Sequence, residues 1–171
     1  MVKNLNESQG SITIIASVSP PGGDFSEPVT SHTKRFIRCF WALDRDLANS
    51  RHYPSISWID SYSEYIDDIK DWCHEHIGPD WLSLRYTMME LLQREQRLLQ
   101  VVKLVGADVL PVRQRLILET CSIFKNMFLQ QSAFDDVDTY CSLERQFLML
   151  KTIVKFYRKS EELIKKGVNI L

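Results

Sequence analysis

Residues 81–105 read WLSLRYTMMELLQREQRLLQVVKLV, and this stretch decides the fold. From Trp81 onward, Leu84, Leu91, Leu98 and Val105 recur every seven residues, with Met88 and Val102 between them on the same face. That spacing predicts one long amphipathic helix. Gly106 interrupts it, Pro111 suits the first position of a following helix, and Leu116, Ile123, Phe124, Met127 and Phe128 give that second helix an apolar stripe. The two form a helical hairpin. Upstream, Ser61-Tyr62-Ser63-Glu64 has the Ser-x-x-Glu spacing that lets each side chain satisfy a free amide at a helix start, and Gly78-Pro79 stops that helix. Downstream, a last helix is expected from Ser142 to Lys166, with Leu143, Phe147, Leu150, Val154 and Tyr157 in register. Lys165 and Lys166 stand at its negative dipole end and Gly167 lies beyond. The expected fold class is mainly α, a helical bundle behind a strand-bearing leader.

The leader reads differently. Ser11-Ile12-Thr13-Ile14-Ile15-Ala16-Ser17-Val18 is rich in β-branched residues and suits a strand covered on both faces, which one strand cannot do for itself. Pro20 to Pro28 follows as a shaped loop, because prolines forbid a ladder and Gly22 and Gly23 permit positive φ. Phe36 to Leu43 is short and aromatic enough for another strand.

Bulk properties exclude several classes. With 171 residues, 44% hydrophobic and 25% charged, the chain holds one medium domain, or a small one with an appendage. Twenty-one basic and 22 acidic residues give a formal charge of -1, so no global field favours nucleic acid or an anionic membrane. No run approaches the roughly 18 apolar residues of a spanning helix, so a soluble, unexported chain without membrane insertion is expected. Cys39, Cys73, Cys121 and Cys141 are too scattered for a disulfide scaffold and read as reduced thiols.

Few motifs carry chemistry. None of the six glycines sits in Gly-x-x-x-x-Gly-Lys-Ser/Thr, which excludes a phosphate-cradling loop within the chain. Cys73-His74-Glu75-His76 offers metal-ligand types, but on a helix Cys73 diverges from His74 and His76, and no second pair completes four ligands. No metal site is expected there. Scattered Ser, His, Asp and Cys residues lack any nucleophile signature, and the pairs Asp135-Asp136 and Glu161-Glu162 mark solvated surface. Phe134 stands apart because it falls in the polar break Gln130-Gln131-Ser132-Ala133-Phe134-Asp135-Asp136, where an aromatic ring either tucks back or receives something flat.

Gly10-Ser11-Ile12-Thr13-Ile14-Ile15, then Ser19 to Thr30 with Pro20-Pro21-Gly22-Gly23-Asp24 at its centre, resemble the catalytic A subunit of V-type and archaeal-type ATPases. The resemblance continues through Phe40-Trp41-Ala42-Leu43-Asp44, Arg51-His52-Tyr53-Pro54, Leu91-Leu92-Gln93, Leu104-Val105-Gly106 and Leu129 to Phe134. It closes on Val137 to Glu144 and covers nearly everything from Gly10 to Val168.

This resemblance implies that residues 1–53 end an excised α/β nucleotide-binding domain with its last strands, and that 54–171 form the carboxy-terminal helical domain, truncated at its end. It implies a parent that is a rotary ion pump or ATP synthase, coupling ATP synthesis or hydrolysis to proton or sodium transport. ATP or ADP with magnesium would be bound by the parent and none tightly by this piece. The phosphate loop, the water-positioning glutamate and the magnesium-binding acid of the family lie upstream of the matched segment, so no catalytic residue is expected here and the piece alone should be inactive. Tyr53, Phe128 and Phe134 match the aromatic positions lining the adenine pocket. The family more often has phenylalanine at the first and often tyrosine at the second, exchanges that preserve a ring. Two segments match rotor-facing surfaces: Pro20, Pro21, Gly22, Gly23 and Asp24, and the inter-helix loop Gly106, Ala107, Asp108, Val109, Leu110, Pro111 and Arg113. Partners would be the B subunits of the catalytic hexamer and the central-stalk rotor subunits, with the protein cytoplasmic, peripheral to the membrane in the soluble head. The alternative from the residues alone is a free-standing helical protein-interaction module that recruits a partner helix.

Overall fold

The computed structural model describes residues 2–3, 9–106 and 108–168. In chain order the elements are β1 (Val2–Lys3), β2 (Gln9–Gly10), a 3-10 turn (Pro21–Gly23), α1 (Pro28–Lys34), β3 (Cys39–Phe40), α2 (Arg45–Asn49) and β4 (Tyr62–Ser63). Then come α3 (Ile66–His76), α4 (Trp81–Val105), α5 (Val112–Phe124), a π-helical turn (Lys125–Leu129) and α6 (Leu143–Lys165). They fall into two compact units, Met1–Arg38 and Cys39–Leu171.

In the first unit β1 runs antiparallel to β2, with Val2 opposite Gly10. The strand expected over Ser11–Val18 is not formed. Those residues take no regular secondary structure, and Ile12, Ile14 and Ile15 stand 81–86% exposed. A strand needs a second backbone to pair with, and among the described residues none lies alongside this segment. Glu27 then starts a helix the sequence reading did not anticipate: its carboxylate accepts from Val29 N at 3.0 Å and Thr30 N at 2.9 Å, and Pro28 occupies the first turn.

In the second unit the apolar segment around residue 40 contributes Cys39–Phe40, paired antiparallel with Ser63 and Tyr62, and a single bridge from Leu43 to Ile56. This pairing explains why the capping box at Ser61–Glu64 fails. Ser61 Oγ accepts from Ala42 N at 3.0 Å, Tyr62–Ser63 extend as β4, and the helix starts later at Ile66. Tertiary pairing has overridden a local signal.

Most of the predicted stripe residues build the core, although Leu143, at the first turn of α6, is exposed. Leu84, Met88, Leu91 and Leu92 of α4 meet Ile117, Cys121 and Phe124 of α5 and Leu150, Ile153 and Val154 of α6, with Leu98, Phe147 and Tyr157 packed against them. Met88, Leu92 and Val154 are no more than 1% exposed, and each such side chain stabilises the fold by roughly 1.5–3 kcal/mol. Met127 departs from expectation at 66% exposed, because the widened turn carries it outward while Phe128 stays over Phe124. At α6 the expected caps form, with Ser142 Oγ accepting from Arg145 N and Gly167 at φ 80°.

One charged pair interrupts this apolar packing. Glu95 lies on the α4 stripe, 5% exposed, and Lys125 Nζ reaches its carboxylate at 2.6 Å. The same ammonium sits 4.9 Å from the centre of the Trp58 ring, and His52 meets Trp58 edge-on at 5.5 Å. Burial, and after it the Lys125 charge, push the His52 imidazole below its ordinary value, and its Nε2 is buried without a hydrogen-bond partner among the described residues.

Two outcomes follow from this packing. A Cβ on Gly78 would lie 2.6 Å from Phe147 Cζ, so Gly78→Ala forces apart the junction of the α3–α4 connection with α6. A loss of about 1–3 kcal/mol is expected, read as a lower urea midpoint that a smaller residue at Phe147 partly restores; an unchanged midpoint would show that the ring swings aside freely. His52 titrates lower in the fold than in the unfolded chain, so below the ordinary histidine value the unfolded chain binds more protons. Its stabilisation is complete above pH ~6.5 and is lost as pH falls through the lowered folded value. The difference in urea midpoint between the native chain and His52→Gln should therefore shrink from pH 7.5 to pH 5, and a pH-independent difference would refute it.

Candidate functional site

Residues 130–142 contain too few apolar side chains to join the core, and they close on themselves through polar groups instead. Asp135 Oδ1 accepts from Val137 N at 3.0 Å and Asp138 N at 2.8 Å, Asp138 Oδ2 accepts from Ser132 N at 2.6 Å, and Thr139 Oγ1 donates to Asp135 O at 2.6 Å. From α6, Arg145 donates to Val137 O at 3.1 Å and Gln146 to Cys141 O at 3.0 Å. These bonds hold the loop without using Phe134, whose side chain is 100% exposed.

The facing segment leaves α2, which Asp44 caps through Leu47 N at 2.9 Å. Arg51 turns the chain at φ 60°, and His52 N donates to Leu47 O at 2.9 Å. Tyr53 emerges half exposed, its hydroxyl 3.4 Å from Ala48 O. The two segments are stitched together where Gln131 N donates to Tyr53 O at 2.8 Å.

Between them lies an open recess of roughly 650 Å³, lined by Arg51, Tyr53, Asn126, Gln130, Gln131, Ser132, Ala133, Phe134 and Asp138. The structure thus brings Tyr53 and Phe134 to one recess. Phe128 lines a smaller neighbouring cavity of roughly 200 Å³, which shares Gln130, Gln131 and Asp138 with the first. Its ring stacks on Phe124 at 4.8 Å and 17°, against the core, so Phe128 braces the bundle rather than the recess. Two rings and three amide side chains, Asn126, Gln130 and Gln131, suit a flat heteroaromatic ligand: rings stack on its faces, and amides donate to and accept from its edge. Sequence reasoning missed Arg51, Asn126 and Asp138, which nothing in hydrophobic periodicity distinguishes from surface.

The other candidates are placed apart. Pro20–Asp24 belongs to the first unit, where Pro21–Gly23 turns with Gly22 and Gly23 at φ 66° and 75°, and Asp24 Oδ1 accepts from Ser26 N and Oγ. Those bonds hold the Asp24 carboxyl below its ordinary value. In the second unit Gly106, at φ 84°, ends α4 and Pro111 caps α5. Asp108, Val109 and Arg113 are exposed, whereas Leu110 is buried and anchors the turn. Ala107 lies outside the described residues.

Among the described residues no three His, Cys, Asp or Glu side chains gather as a metal site. Cys73 is buried, while His76 stacks on Trp72 at 4.5 Å with Nδ1 2.9 Å from Trp72 O. Burial pushes the Cys73 thiol up, and lifts that of Cys121 to about 12, keeping both protonated near neutral pH. Among the described residues no helix is long and apolar enough to cross a membrane.

Comparison with known proteins adds to this geometry. The ATP synthase alpha/beta family, nucleotide-binding domain, matches residues 2–63, and the C-terminal domain of V and A type ATP synthase matches residues 70–170. The chain is 54% identical over 170 residues to the V-type ATP synthase alpha chain of Halothermothrix orenii, covering 99% of this chain and 29% of that protein. It is 54% identical over 164 residues to the A subunit of the A-type ATP synthase of Ignicoccus hospitalis, covering 96% and 28%. The chain therefore spans less than a third of the length of these relatives. A solved structure, a unique ATP synthase subunit NeqB from Nanoarcheaum equitans, shares the fold over 88% of this chain and 36% of that one, with a TM-score of 0.71 at 21% identity. With the C-terminal domain matched over residues 70–170 and nucleotide-binding-domain sequence ahead of it, the chain belongs to the V and A type ATP synthase family.

Proposed function

We propose that the chain is part of the catalytic A subunit of a rotary V/A-type ATPase, in which it supplies one wall of the adenine pocket. The observation carrying this reading is the recess with Tyr53 and Phe134 on segments joined by the Gln131–Tyr53 backbone bond. The rings accept the base, and the amides of Asn126, Gln130 and Gln131 meet its edge. Residues 1–53 belong to the parent's nucleotide-binding domain and 54–171 to its carboxy-terminal helical domain, a division that concerns the parent's domains and so differs from the compact units seen here.

Phosphate and magnesium contacts belong elsewhere in the parent, since this chain has no phosphate-cradling motif and its described residues gather no carboxylate cluster. The parent would couple ATP synthesis or hydrolysis to proton or sodium transport, working with B subunits and a central rotor in the soluble head. The exposed turns at Pro20–Asp24 and at Gly106, Asp108, Val109, Pro111 and Arg113 are the rotor-facing surfaces of this reading. With one acidic and one basic side chain exposed in the second, contact by shape outweighs charge pairing. No observation favours the free-standing interaction module.

Base–aromatic stacking contributes about 1–3 kcal/mol per ring, so Phe134→Ala in the full-length subunit is expected to weaken nucleotide binding by about 5- to 150-fold. Because the ring is fully exposed, the same substitution should change stability by no more than about 0.5 kcal/mol. Equilibrium binding and thermal unfolding on one variant check both, and intact affinity would overturn the adenine-pocket reading. The 171-residue chain alone should release no phosphate from magnesium–ATP above a heat-denatured control; turnover that survives repurification would refute the reading.

A further inference from the structure

We infer that Lys125 is a positioning residue, tying the width of the recess to the packing of the bundle through Glu95 and Trp58. Two contacts meet at its ammonium group, and its backbone opens a turn. It donates to Glu95 of α4 at 2.7 Å, lies 4.9 Å from the Trp58 ring centre, and begins the π-helical turn that leads into the loop bearing Phe134. Trp58 packs against the core and meets His52, whose neighbour Tyr53 accepts the Gln131 amide.

The chain thus leaves Lys125 in two directions and returns to itself. One path runs along the backbone, where Gln130 N donates five residues back to Lys125 O at 2.9 Å, and then to Gln131. The other runs through Trp58 and His52 to Tyr53. Both end on the Gln131–Tyr53 hydrogen bond between the walls of the recess. The π geometry belongs to this arrangement, because an ordinary α-helical turn would carry Gln130 and the loop behind it round to a different direction. A buried carboxylate fixes the cation more firmly than a surface pair would, since burial keeps solvent from taking over the contact. Lys125 touches no ligand in this scheme and acts through Tyr53 and Gln131. Its link to nucleotide affinity rests on the function proposed above; its control of the Gln131–Tyr53 bond does not.

The test is amide hydrogen exchange on the 171-residue chain, reading Gln131 beside Leu92 and Val154 of the core. Lys125→Met is expected to speed exchange at Gln131 by about tenfold more than at the two core amides, as a local opening does. Lys125→Arg, which keeps the charge and the ring contact, should stay within about twofold of the native chain. Since Lys125→Met strands a buried carboxylate, Glu95→Gln/Lys125→Met is the second variant. It should recover the core amides and leave Gln131 fast. Equal acceleration at all three amides, or recovery of Gln131 in the double variant, would overturn the positioning role. In the full-length subunit, Lys125→Met should weaken nucleotide binding. Fast Gln131 exchange with unchanged affinity would uphold the positioning role and refute the adenine reading.

Discussion

A buried carboxylate at position 95 constrains the packing of the helical unit. The α4 stripe calls for an apolar residue there, one turn after Leu91 and Leu92, and the chain supplies Glu95, which packing leaves 5% exposed. Burying an unpaired carboxylate costs far more than one apolar contact returns, so a cation must be delivered to that point. Lys125 delivers it from the position where α5 gives way to the π-helical turn, with the Trp58 ring 4.9 Å from the same ammonium. Such a buried pair generally adds little net stability over a hydrophobic substitute, whereas removing one partner alone is costly. The same electrostatics surround Cys121, whose thiol is raised first by burial and then by the Glu95 charge.

The helices were legible because their stripes are covered inside this chain. Each predicted face on 81–105, 112–124 and 143–165 finds the other two, so periodicity in the sequence becomes burial in the structure. The leader was not legible for the complementary reason. Ile12, Ile14 and Ile15 have the composition of a covered strand, yet composition supplies no backbone partner, and without one the segment is irregular. Ser61–Glu64 failed in a third way: the local cap competed with a longer-range bond from Ala42 and lost. Local signals were reliable where nothing distant wanted the same atoms.

The site shows the same division. Phe134 was visible because an aromatic ring inside a polar run is anomalous on its own terms, and it is fully exposed at the mouth of a recess. Tyr53 and Phe128 came from resemblance, and geometry separates them, Tyr53 lining the recess and Phe128 stacking on the core. Glu95 and Lys125 were overlooked although both sit in apolar stripes, Glu95 at i+4 from Leu91 and Lys125 at i+4 from Cys121. A charged residue in register with an apolar face is a signal of a buried pair, and two of them on facing helices identify each other.

The adenine-pocket reading proposed above asks a fully exposed ring to serve binding, and the bonding of its loop bears on how it could. Phe134 gains nothing from the core, and on a slack loop much of any stacking energy would be spent ordering the backbone. Here hydrogen bonds within the chain hold the loop: Asp135, Asp138 and Thr139 satisfy it internally, Arg145 and Gln146 tie it to α6, and Gln131 ties it to Tyr53. Polar self-satisfaction is what allows a large apolar surface to be held in water, facing outward, at a fixed place on an otherwise well-packed bundle.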